Sequence, residues 1–138
     1  MKSILSFAAI ALALSVSACS APASIAETAP KIAAFHHHLD AEDYDSMWAD
    51  TADDMRKATT EADMDKIFAA IHRKLGNVVS STQVGWRNNI TTNGTFVVVR
   101  MDTKFERGGG SEEFVYRQTG KTLKLAGYHI NSEEMMLN

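Results

Sequence analysis

Residues 60–76 read TEADMDKIFAAIHRKLG and residues 95–106 read TFVVVRMDTKFE, and the contrast between the two decides the fold. In the first stretch Met64, Ile67, Phe68, Ile71 and Leu75 recur every three or four residues, the period that lines one face of an α-helix. Thr60 stands as N-cap with Asp63 three residues on, His72-Arg73-Lys74 fill the last turn, and Gly76 is the stop. In the second stretch Val97, Val99, Met101, Thr103 and Phe105 face one way while Arg100, Asp102, Lys104 and Glu106 face the other, which is the period of a strand. The chain therefore changes from helix to sheet after residue 76.

Working outward, Ile32, Phe35 and Leu39 predict a helix from Lys31. Tyr44, Met47, Trp48, Ala52 and Met55 predict a second, with Asp43, Asp45, Asp50, Asp53 and Asp54 on its other side and an acidic start that suits the helix dipole. On the sheet side a strand is expected over 78–89, with Val84 and Trp86 on one face, then an Asn93-Gly94 turn and the strand 95–106. Gly108-Gly109-Gly110 is read as the next reversal, followed by a strand over 112–119 and the two-residue turn Gly120-Lys121.

That last turn implies a register in which Thr119 meets Thr122, Gln118 meets Leu123, Tyr116 meets Leu125 and Phe114 meets Gly127. The expected inner face is Val97, Val99, Met101, Thr103, Phe105, Phe114, Tyr116, Leu123 and Leu125, with the hydroxyls of Thr103 and Tyr116 as its only polar groups and no charge enclosed. The expected outer face keeps Phe96, Val98, Val115, Ala126, Tyr128 and Ile130. Phe96, Val98, Val115 and Tyr128 make a possible interaction surface for a protein partner or for self-association. The fold class is α+β: two to three N-terminal helices packed on one face of a curved four-stranded antiparallel meander.

The N-terminus carries an address. Lys2 precedes a 13-residue apolar run, Ile4 to Val16, which has the grammar of a signal peptide and is too short for the roughly 20 residues of a membrane-spanning helix. Val16-Ser17-Ala18-Cys19 resembles the lipobox of bacterial lipoproteins, in which the cysteine is acylated and becomes the new N-terminus. The implied organisation is a lipoprotein signal peptide over 1–18, a flexible tether over 19–30 and a single domain over 31–138. Cys19 is the lipid attachment, the bilayer is its partner, and the location is the bacterial envelope facing the periplasm, with Ser20 resembling the outer-membrane pattern. Cys19 is also the only cysteine, so a domain beyond it has no disulfide. Lys2 is the only charged residue of 1–18, so its removal leaves 13 basic and 17 acidic residues, a net −4 that offers nothing to nucleic acid.

Candidate chemistry is sparse. His36-His37-His38 suggests metal, but adjacent helical residues point about 100° apart and cannot converge on one ion; useful pairs would be His36 with Asp40 or His38 with Glu42. The acidic residues of the second helix lack the spacing of a calcium loop. Tyr44 with Trp48, and Trp86, are read as core aromatics, and the glycine triplet joins strands and so is no phosphate cradle. No Gly-x-Ser-x-Gly elbow or HExxH helix occurs, so no catalytic, cofactor or metal residue is assigned.

Asp43-Tyr44 with Trp48, Leu75-Gly76, Phe96-Val97-Val98-Val99 with Phe105, and Ala126-Gly127-Tyr128 resemble a family of short bacterial envelope proteins known only as a domain of unknown function, over about Phe35 to Asn131. The order of elements resembles the NTF2-like, cystatin-like superfamily. The chain departs from the family pattern at Ser80-Ser81-Thr82, where an arginine is usual, and at Leu123, where a tryptophan is usual. The resemblance implies fold and location and carries no activity. The expectation is a membrane-tethered, non-catalytic binding module without cofactor; the alternative is a small NTF2-like isomerase or hydrolase with a pocket between helices and sheet.

Overall fold

The computed structural model describes residues 25–137, so the expected signal segment, Cys19 and the first part of the expected tether lie outside the described residues. Five helices and four strands follow in the order α1 (Ile25–Asp40), α2 (Tyr44–Ala49), α3 (Asp53–Ala58), α4 (Glu61–Leu75), β1 (Val78–Thr91), β2 (Gly94–Phe105), β3 (Gly108–Thr119), β4 (Thr122–Asn131) and α5 (Glu133–Met136). The sheet is an antiparallel meander in the order β1-β2-β3-β4, so the expected α+β class holds.

The helix–sheet switch falls where the pattern puts it. Thr60 accepts the Asp63 N–H at 3.2 Å, and Met64, Phe68, Ile71 and Leu75 are buried. Ile67, expected in the stripe, sits at its rim and is 53% exposed. Gly76 closes α4 at φ 77, and its N–H bonds the His72 carbonyl at 2.8 Å. The core joins this stripe to Ile32, Phe35 and Leu39 of α1 and to the expected inner face of the sheet. Each fully buried Leu, Ile or Phe contributes about 1.5–3 kcal/mol, so this layer holds a domain without a disulfide.

Four local expectations change. First, α1 starts at Ile25 and takes in Pro30, so residues 25–30, read as tether, are helical. Second, the expected second helix is broken: the Asp50 carbonyl accepts the Leu125 N–H at 2.9 Å and the Ala52 N–H donates to the Leu125 carbonyl at 2.7 Å. Thr51 thereby forms a parallel bridge to β4, and α2 and α3 lie on either side of it. Third, the glycine triplet belongs to β3, and the reversal is Glu106-Arg107, whose amides dock on the Asn77 and Leu75 carbonyls. Gly108 has φ 150, and a Cβ there would run into the Glu134 carboxylate, so the start of β3 needs glycine.

The fourth change matters most for the site. The register from the Gly120-Lys121 turn runs as expected through Tyr116 with Leu125, but Ala126 is an extra residue, so Val115 then meets Gly127 and Phe114 meets Tyr128. A bulge of one residue inverts the faces of everything after it. Tyr128 and Ile130, expected outside, pack against the core instead. Val98 is 4% exposed, and the Arg117 guanidinium lies 4.6 Å over the Phe96 ring. The outer patch of Phe96, Val98, Val115 and Tyr128 thus loses Tyr128 entirely and is largely covered elsewhere.

Candidate functional site

A carboxylate is enclosed beneath the helices, contrary to the expectation of an uncharged interior. Glu112 is fully buried, and its pair on β4, Ile130, shares the inner side of the sheet. Its Oε2 accepts from His36 Nε2 at 2.8 Å and from the Thr103 hydroxyl, and its Oε1 accepts from the Tyr128 hydroxyl at 2.7 Å. The proton of Thr103 is committed to Glu112, so Ser81, 2.7 Å from Thr103 Oγ1, is the donor in that pair. One acceptor set thus collects three donors drawn from α1, β2 and β4, with a fourth hydroxyl from β1 behind them. Burying a carboxylate is tolerable only when it is satisfied in this way. Burial and the adjoining Glu112 charge push the Tyr128 phenol well above its ordinary pKa, because ionising it would place a second negative charge in the same dry space.

The surroundings are aromatic. Phe35, Phe68, Phe114 and Tyr128 pack with ring centroids 4.8–5.7 Å apart, and the His36 ring stands edge-on to Phe114 at 5.8 Å. His36 donates from Nε2 to Glu112.

His36 and Ser81 also border a groove of about 270 Å³ between α1 and β1, whose other walls are Ala29, Ile32, Ala33, Gln83, Val99 and Met101. Its walls are mostly apolar, with Ser81, Gln83 and His36 as the polar residues. A second cleft, about 360 Å³, lies between α1, α2 and β4, where Asp50 holds Lys31 at 2.9 Å and Lys124 at 3.3 Å.

The three histidines part company. His36 goes to Glu112, His38 Nδ1 pairs with Asp43 at 3.1 Å in place of the expected Glu42, and His37 is exposed. Asp40, the expected companion of His36, accepts the Val78 N–H at 2.9 Å. Among the described residues no group of three or more His, Cys, Asp or Glu is placed to hold a metal. Tyr44 and Trp48 do pack against the core, but Trp86, read as core, is 48% exposed. It pairs with Val99 on the inner side of β1, beyond a second bulge at Val84.

Glu112 was legible in part: it has the parity of Phe114 and Tyr116, so alternation alone puts it on the inner face. Nothing in the pattern singles out His36 from its two neighbours, because the selection is made by a carboxylate 76 residues away.

A family model described as a protein of unknown function, DUF4019, matches residues 32–128. The chain belongs to that family. No curated protein and no solved structure matches it. The matched span of the DUF4019 domain runs from α1 into β4, and all members of the Glu112 cluster lie inside it. No described helix is long and apolar enough to cross a membrane.

Proposed function

We propose that this DUF4019 protein is a lipid-anchored binding module of the bacterial envelope, facing the periplasm and holding a small, largely apolar ligand in the α1–β1 groove. The groove carries the reading: it has mostly apolar walls with a few polar residues, the usual layout of a small-molecule site, though at about 270 Å³ it suits only a slim occupant. Ser81, its proton given to Thr103, favours a ligand that ends in a hydrogen-bond donor. Anchoring rests on the leader and Cys19, and the helix-then-meander order is that of a small NTF2-like domain.

The enzymatic alternative has one observation in its favour. A histidine backed by a buried carboxylate is the arrangement of an oriented general base. Against it, Glu112 already accepts three internal bonds, and His36 is only 7% exposed. Such a cluster holds α1 to the sheet, and the binding reading needs no more from it.

Two measurements test the proposal. Ala33→Trp fills the groove from an exposed position on α1, and it should lower saturable binding of the apolar fluorophore N-phenyl-1-naphthylamine at least tenfold while leaving thermal stability unchanged. Unchanged binding would remove the groove as the site. Metabolic labelling with an alkynyl palmitate should mark the protein and fail on Cys19→Ser; equal labelling would sink the anchor.

A further inference from the structure

The end of the sheet nearest the tether is dressed for a lipid surface. α1 runs antiparallel to β1: Asp40 bonds Val78, His36 lies by Ser81 through the Glu112 cluster, and Ala29 to Ala33 border Gln83. From His36 back to Ile25 the helix rises about 16 Å, at ~1.5 Å per residue, which matches about five strand residues at ~3.3 Å each. Because the bulge at Val84 adds no step to the ladder, the start of α1 is level with Arg87, and the β1–β2 hairpin outruns it by the four residues to Thr91, about 13 Å.

This overhang explains why Ile90, though on the inner side of β1, is 70% exposed, and Trp86, level with the first turn of α1, is still 48% exposed. Val84, in the bulge, is 55% exposed. Charge is polarised here too. Residues 83–99 and 114–124, which form the two hairpins at this end, contain Arg87, Arg117, Lys121 and Lys124 and no carboxylate, in a chain of net charge −3. Asp54 pairs with Arg117, and Asp50 is shared between Lys124 and Lys31, while Asp53 and Glu27 lie on the neighbouring helices. Arg87 and Lys121 make no ion pair with another described residue.

We infer that the β1–β2 hairpin end, with Trp86 and Ile90 entering the interface and Arg87 and Lys121 meeting anionic headgroups, seats the domain on the bilayer that holds Cys19. Only Ser20 to Ser24 separate the anchored cysteine from α1, a reach of about 20 Å at most. That span is comparable to the overhang, so a tether attached at this end brings this hairpin to the surface. A tryptophan beside cations is the composition that settles at headgroup depth. The inference rests on the lipid-anchored reading above.

The acylated full-length protein, purified in detergent and reconstituted into phosphatidylethanolamine–phosphatidylglycerol vesicles, supplies the test. In a Trp48→Phe background, Trp86 emission should shift to the blue and lose most of its intensity when the lipids carry bromine at upper acyl positions, and Ile90→Asp with Arg87→Glu should abolish both effects. Should Trp48→Phe unfold the domain, the same quenching is read as the difference between the unsubstituted protein and Trp86→Phe. Protein that floats with the vesicles but leaves Trp86 unquenched would overturn the seating while the anchor stands; if a crosslinked dimer through β1 accompanies that result, the occupant is a second copy. Protein that does not float would overturn the anchor itself.

Discussion

Replacing Glu112 by leucine is the most informative single change, because it removes the acceptor and leaves the donors. The His36 N–H and the hydroxyls of Thr103 and Tyr128 would then lie buried without a partner, Thr103 alone having Ser81 within reach. An orphaned buried polar group costs about 1–3 kcal/mol, and at least two are orphaned together here. A net loss of about 3–5 kcal/mol is expected, a large share of the 5–15 kcal/mol typical of a domain. At roughly 4 °C per kcal/mol the midpoint of thermal unfolding should fall by about 12–20 °C. Removing the donors as well, with His36→Phe, Thr103→Val and Tyr128→Phe added to Glu112→Leu, should restore most of that loss, since an apolar replacement of a whole buried polar cluster is often neutral. Urea unfolding followed by far-ultraviolet circular dichroism gives both numbers. A single variant within about 1 kcal/mol of the unsubstituted chain, or a quadruple variant no better than the single, would refute the account of Glu112 as the hub.

Other consequences are as direct. The Arg117 guanidinium, bonded to Asp54 at 2.7 Å, holds that carboxyl below its ordinary 3.8. Its contribution is therefore present above the unfolded value and lost as pH falls through the folded one, so Asp54→Asn should flatten the acid limb of stability between about pH 5 and 2 in urea titrations. At the alkaline side, burial raises the Tyr116 phenol, and burial with the Glu112 charge raises Tyr128. Stability should be intact below about pH 10 and decline above it, with the absorbance step of these two phenols appearing only as the chain unfolds. Deleting Ala126 makes β4 regular while keeping Val115 opposite Gly127 and Phe114 opposite Tyr128, so Tyr128 and Ile130 stay inward. The loss in urea unfolding should therefore stay below about 2 kcal/mol, and a loss above about 3 kcal/mol, the scale of emptying an aromatic site, would show that Tyr128 does not keep its place without the bulge.

The amino-acid sequence by itself determined the change of period after Gly76, the α4 stripe of Met64, Phe68, Ile71 and Leu75, and the inner-face positions from Val97 to Leu125. These are decided by near neighbours along the chain: helical and strand geometry repeat within a few residues, and a wrong period would put an apolar face in water. Only the tertiary structure decided the rest. The bridge from Thr51 to Leu125 split one expected helix, and the extra residue at Ala126 carried Tyr128 inward. Glu112 became tolerable inside because His36, Thr103 and Tyr128 arrived from three other elements, and Ile90 stayed exposed because α1 ends short of it. Each of these depends on which surface another element brings, and no local period in the chain records that.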